Sequence, residues 1–291
     1  MVTGVRRLAA AAAVAGVLVA AHSAIAGVAT GGHAVDASRF NPGSCVSFAP
    51  TSARASRRTV FVDAGHGGPD PGAVGVTASG KPVHEATETL RVALAALPLL
   101  RAAGYRVVLS RTTPQEVARP APGDLSGGLF TGQGVHRDLV ARDACANIAR
   151  ADVLIGIYFN ASDYSSLGGS LTLFDAARPF WPANRRLAQL VQRAVLARLN
   201  AKGSVVADDG VHADSGYGSS VTTADQAYDH LLILGPAKAG YFSSPSLMPG
   251  ALIEPLFITN PAEASLADSA AGQRAIARGL LTAVGQYFGN G

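Results

Sequence analysis

Three polar residues stand where a chain of this kind would otherwise carry apolar residues or a plain turn: His66, Glu85 and Glu254. His66 lies in "TVFVDAGHGG", directly after an apolar run, with Gly65, Gly67 and Gly68 around it. Glycines let the backbone turn sharply and let another group come close to the imidazole. A neutral imidazole at a strand end suits a zinc site, and an unliganded turn histidine is the plainer alternative. Glu85 opens the helical stretch "EATETL", where the helix dipole and capping also favour a carboxylate. Glu254 sits inside "ALIEPLFI", between Ile253 and Pro255. A carboxylate in an apolar strand loses hydration, so it needs a partner or a raised pKa. A raised pKa is what a general base uses, although a structural ion pair explains such a residue equally well.

The elements that must position these residues follow from hydrophobic periodicity. Residues 60–63 read as a strand, and "HEATETLRVALAALPLLRAAG" as a helix that Pro98 kinks or shortens and Gly104 ends. "YRVVLSR" is a strand, and residues 114–134 are a long Gly- and Pro-rich loop. The helix "RDLVARDACANIARA" leads into the strand "DVLIGIY", and "GSLTLFD" is another strand. "ANRRLAQLVQRAVLARL" is a strongly periodic helix, and residues 207–225 are a polar loop. "HLLIL" and "ALIEPLFI" read as strands, and "AGQRAIARGLLTAVGQYF" as the closing helix. Strands alternating with helices predict an α/β domain: a twisted, mainly parallel sheet with helices on both faces. In such sheets chemistry gathers beyond the strand carboxyl ends, which is where His66, Asn160 and Glu254 fall.

The chain has 291 residues, 48% hydrophobic and 15% charged, enough for one sizeable domain. The formal charge is +4, with Lys and Arg scattered and no basic run interleaved with aromatics, so no nucleic-acid partner is expected. Residues 1–26 have the three parts of a secretory signal peptide: Arg6-Arg7, an apolar run, then Ala24-Ile25-Ala26. Cleavage after Ala26 predicts an exported protein, periplasmic, wall-associated or secreted, with no stable membrane insertion afterwards. Residues 27–57 read as a flexible lead, and 58–291 as the folded domain. Cys45 and Cys145 suit an oxidising compartment, either as a disulfide or as two buried thiols. Trp181 reads as a packing anchor, and no phosphate loop or nucleophile elbow occurs.

In combination, "VFVDAGHGGPDPGAVG", the Glu85 of "HEATETL" and "LIEPLFITNPAE" resemble the zinc-dependent N-acetylmuramoyl-L-alanine amidases of the type 3 catalytic domain family. "ARDACANIARADVLIGIYFNAS" resembles that family's Arg-containing helix and the strand bearing its third zinc ligand. The resemblance implies hydrolysis of the amide between N-acetylmuramic acid and L-alanine in peptidoglycan. It implies one zinc ion on His66, Glu85 and a third ligand, a zinc-activated water, and Glu254 as general acid and base. Asn160 and Arg142 are carried over as substrate contacts, although loop pinning is the preferred reading for Arg142. The departure is Tyr158, which occupies the third-ligand position where the family has His. A phenol binds zinc well only as phenolate. Tyr158 as an anionic ligand or as the holder of a water in a weaker two-ligand site, His212 or His84 as a substitute, and a metal-free peptidoglycan-binding pseudoenzyme are the readings left open.

Overall fold

"TVFVDA" is apolar on both sides of the strand from Val60 to Val62, and every residue of it is buried. Such a run has no polar edge to offer solvent, so it belongs in the middle of a sheet covered on both faces. The computed structural model describes residues 31–201, 203–217 and 223–289. Its first half contains β1 (Gly32–Ala34), β2 (Ser44–Phe48), β3 (Thr59–Ala64), β4 (Val74–Val76), β5 (Pro82–His84), α1 (Glu85–Ala102) and β6 (Arg106–Arg111). A small hairpin, β7 (Leu125–Ser126) and β8 (Leu129–Phe130), precedes α2 (Gly132–Ile148), β9 (Val153–Ile157) and β10 (Ser170–Phe174). Then come α3 (Trp181–Asn200), β11 (Asp208–Ala213), α4 (Thr223–Tyr228), β12 (Gly250–Glu254), α5 (Pro261–Asp268) and α6 (Ala270–Phe288).

The main sheet has eight strands in the order β1-β2-β6-β3-β9-β12-β10-β11. Its centre, β6 through β12, is parallel, and β10 turns antiparallel against β12. On one face α1, α3 and α6 bury Leu97, Val191 and Leu280 against Val60, Val62 and Ile155. On the other, α2 and the segment around Ile233 cover Phe61, Val108 and Leu154. The mainly parallel sheet between helices is therefore as expected.

Several segments differ from expectation, each for a physical reason. Residues 32–34 and 44–48 of the supposed flexible lead are strands of the sheet, and β2 is buried throughout against β6. A five-residue strand buried on both sides shows no alternation, and its Gly/Ser-rich surroundings hide it. Residues 208–213 form an edge strand paired with β10, half exposed and so polar enough to look like a loop. "HLLIL" is no strand: Leu234 and Gly235 both donate to the Leu231 carbonyl in a turn. Its apolar side chains pack on the sheet, but Gly235-Pro236 prevents an extended run. α1 continues through Pro98 to Ala102, and Trp181 is 43% exposed at the start of α3, not an anchor. Residues 1–26 lie outside the described residues, and no described helix is long and apolar enough to cross a membrane.

Cys45 and Cys145 form a disulfide that ties β2 to α2 across a separation of 100 residues. Closing so long a loop removes much chain entropy from the unfolded state. Cys45→Ser is expected to lower stability by about 3 kcal/mol, seen as an earlier urea midpoint. An unchanged midpoint would show that the bridge constrains nothing.

Candidate active site

The register brings the three central strand ends level: Ala64 pairs with Ile157, and Ile157 with Ile253. The next residues are Gly65, Tyr158 and Glu254. Ala64, Ile157 and Ile253 belong to the core under α1 and α6. Alternation therefore turns Tyr158 and Glu254 to the opposite face, where Tyr158 packs beside Leu154 and Leu252. Glu254 is 6% exposed.

After β3 the chain enters the left-handed region at His66, with φ of 60°. A non-glycine residue there needs outside support. Two buried arginines supply it. Arg142, from α2, donates to the carbonyls of Ala64 (2.7 Å) and His66 (2.6 Å), and Arg111, from β6, donates to those of Ala64 (3.0 Å) and Gly65 (2.9 Å). The imidazole is then gripped at both ends: Nδ1 lies 2.8 Å from Asp70 Oδ2, and Nε2 lies 3.0 Å from Glu85 Oε1. Burial alone would lower its pKa, but Glu85 and then Asp70 outweigh that and push it up to about 10. Gly72 makes this approach possible: a Cβ there would stand 2.7 Å from the Glu85 Cβ and 2.8 Å from the His66 ring.

Glu85 does more than pair with His66. Its Oε2 accepts the Ala73 N–H (2.9 Å) and its Oε1 the Phe159 N–H (2.8 Å), so one carboxylate binds the β3 turn, α1 and the end of β9 together. Tyr158 sits edge-on to His66, with ring centroids 5.2 Å apart, and its ring lies where a Cβ on residue 65 would be. Its hydroxyl donates to Asp63 Oδ2 at 3.1 Å. Burial, then the Asp63 carboxylate, pushes the phenol well above its ordinary pKa.

The structure thus brings His66 and Glu85 together, with Tyr158 beside them and Glu254 on the neighbouring strand end. Arg142 and Asn160 lie in the interior. Arg142 is fully buried, with Asp63 (2.7 Å) and Asp138 (2.7 Å) as ion-pair partners, so it pins the His66 turn and presents nothing to a substrate. Asn160 is also buried: its backbone bonds Leu256 and Ile258, and its side-chain oxygen accepts from Ala161. Neither substitute histidine joins the pair. His84 is exposed at the end of β5, and His212 lies on β11, four strands or about 19 Å across the sheet from β3. Asp63, Asp70 and Arg111 escaped the sequence reading. A charge inside an apolar strand, the feature that marks Glu254, also marks Asp63.

Two ligands on a tetrahedral zinc stand about 3.3 Å apart, so the 3.0 Å between His66 and Glu85 suits that ion. The third place does not. Tyr158 is a neutral phenol committed to Asp63, and among the described residues the one group of three His, Cys, Asp or Glu donors in mutual reach lies elsewhere. The residues present do not make the three-ligand set that the resemblance implies.

Fold and site together define an α/β domain of the amidase class, with its polar residues gathered at the carboxyl ends of β3, β9 and β12. The N-acetylmuramoyl-L-alanine amidase family matches residues 60–286, and the chain belongs to that family. It is 25% identical over 242 residues to the germination-specific N-acetylmuramoyl-L-alanine amidase of Bacillus subtilis, covering 83% of this chain and 84% of that one. It is 29% identical over 208 residues to N-acetylmuramoyl-L-alanine amidase LytC of the same organism, covering 71% of this chain and 31% of that one. The fold matches the CwlD amidase of Clostridioides difficile, solved in complex with the GerS lipoprotein. That match has a TM-score of 0.59 and 21% identity, over 80% of this chain and 99% of that one.

Proposed function

We propose that this chain is a peptidoglycan amidase that cleaves the amide between N-acetylmuramic acid and the L-alanine of the stem peptide. The observation that carries the reading is Glu254, a buried carboxylate on the strand end beside Tyr158, two strands from the turn that holds His66. Amide hydrolysis needs a group that takes a proton from the attacking water and returns it to the leaving amine, and Glu254 has that role here. Glu263 shapes the loop behind it, accepting the N–H groups of Phe257 and Gly169. Of the donors that zinc takes, the cleft offers His66 and Glu85, held by Asp70 and by the backbone of residues 73 and 159.

Residues 1–26 act as an export signal in this reading, and the mature protein works in the periplasm, in the wall or outside the cell. The disulfide between Cys45 and Cys145 supports an oxidising destination. The folded domain starts before residue 58, since β1 and β2 are part of its sheet.

One observation favours a second reading. The Tyr158 hydroxyl is held by Asp63, which leaves the His66–Glu85 pair short of a ligand and suits a domain that binds peptidoglycan without cutting it. Purified sacculi separate the two. Release of free stem peptides, falling about 100-fold in Glu254→Gln while sacculus binding persists, is the expected result. Sacculi bound but left intact by the wild-type chain would establish the binder.

A further inference from the structure

β10 and β11 run parallel and end side by side, and β10 opposes β12. Their carboxyl ends therefore lie at the rim of the sheet opposite Glu254. The residues that follow them, Asp175 and Asp214, are both fully buried. His230 reaches in between: its Nδ1 lies 3.0 Å from Asp175 Oδ2 and 3.2 Å from Asp214 Oδ1. One donor atom from each of the three lies within 4.8 Å of the others.

The remaining carboxylate oxygens are already committed, and this aims the free ones. Asp175 Oδ1 accepts the N–H groups of Ala177 (2.8 Å) and Arg178 (2.7 Å), while Asp214 Oδ2 accepts that of Leu231 (3.0 Å). Asp175 Oδ2 is sealed from solvent and receives no hydrogen bond of acceptable geometry, although it belongs to a fully buried side chain and faces the shared point. The nearby Arg178 does not serve it, since its Nη1 and Nη2 go to the carbonyls of Gly235 and Ser246. Two buried carboxylates thus face one imidazole, and one of their oxygens has no hydrogen-bond partner. A buried acceptor left without a partner is costly, and a bound cation removes the cost.

The donor chemistry selects the ion. Two carboxylate oxygens with one imidazole nitrogen suit zinc or manganese, whereas calcium and magnesium take oxygen-only shells. The spacings of 3.0 and 3.2 Å are close to the roughly 3.3 Å between ligands on a tetrahedral zinc. Tyr228 packs edge-on against the His230 ring at 5.5 Å and is anchored through its hydroxyl to the Pro236 carbonyl, which fixes the imidazole. The His230 side chain is 21% exposed, so the imidazole borders solvent while both carboxylates are buried.

We propose that Asp175, Asp214 and His230 form a structural site for a divalent transition-metal ion, zinc foremost, which clamps the ends of β10 and β11 to the segment at His230. The site is separate from the cleft and independent of the amidase reading. The test uses the full chain carrying His66→Ala, which removes the other pair of zinc donors, stripped with chelator and titrated with zinc chloride and manganese chloride. One zinc ion per chain and a melting temperature several degrees higher are expected. Cobalt is expected to give the intense visible bands of a tetrahedral site. Asp214→Asn and His230→Gln, each added to His66→Ala and checked for folding by circular dichroism, are expected to weaken zinc at least 100-fold. The proposal is overturned if His66→Ala takes up neither metal, which would leave His230 as a mere imidazolium between two carboxylates. It is equally overturned if both added substitutions leave stoichiometric zinc in place.

Discussion

Tyr158→His is expected to raise zinc affinity in the cleft by more than about 100-fold, since even groups that only orient a ligand are worth 10–100-fold. The wild-type cleft presents one imidazole and one carboxylate, with a phenol turned to Asp63. An imidazole at position 158 would add a neutral nitrogen next to His66, whose ring already lies 5.2 Å from that of Tyr158. Asp63 would lose one donor but keep Arg142 at 2.7 Å, so the fold should tolerate the change. The pH dependence has a definite sign. Without metal, His66 holds its proton up to about 10, because Glu85 and Asp70 outweigh the burial that disfavours the charge. Zinc must displace that proton, so affinity should increase with pH, by about tenfold per unit for one proton released. Competition against a chromophoric chelator at pH 6 and pH 8 measures both effects, with His230→Gln in the background to silence the second site. Equal affinities in the two chains would place position 158 outside the metal pocket.

Much of this arrangement was legible from residue type alone. β9 and the Val60–Val62 part of β3 are apolar runs, and α3 and α6 carry apolar residues at helical spacing, so each announces itself locally. His66 and Glu254 stood out because glycines surround one and apolar residues the other. What stayed hidden depends on partners distant in the chain. β2 is a strand because β6 pairs with it and α2 is bonded to it through Cys145. β11 is a strand because β10 offers an edge, whatever its own polarity. Nothing local to Arg142 shows that Asp63, 79 positions away, absorbs its charge. Arg111 closes an apparently ordinary strand, and its task emerges only once the His66 turn folds over it. Asp175, Asp214 and His230 come from separate segments, and their meeting depends on the parallel pairing of β10 with β11.

Arg142→Met should destabilise the protein by about 3–5 kcal/mol, the usual cost of removing one partner from a buried ion pair. Four acceptors depend on this guanidinium: the carboxylates of Asp63 and Asp138, and the carbonyls of Ala64 and His66. Methionine fills much of the volume but leaves the buried Asp63 and Asp138 carboxylates without the cation that bonds both, Arg111 alone remaining nearby. Asp138 is also held by the N–H groups of Val117 and Ala118, so it cannot swing out to water. Arg142→Lys keeps the charge but loses the planar fork, and it should fall between wild type and Met. Urea denaturation gives the size of the loss, and a double-mutant cycle with Asp138→Asn gives its cause. If an unpaired carboxylate is responsible, the double variant will be more stable than the sum of the single losses predicts. A loss below about 1 kcal/mol would mean that the cluster behaves like a surface ion pair. A second readout separates stability from positioning. In Arg142→Met that remains folded at low temperature, His66 loses the bond that holds its carbonyl in the left-handed turn. Stem-peptide release should then fall further than the folded fraction alone accounts for, whereas Arg142→Lys should retain part of it.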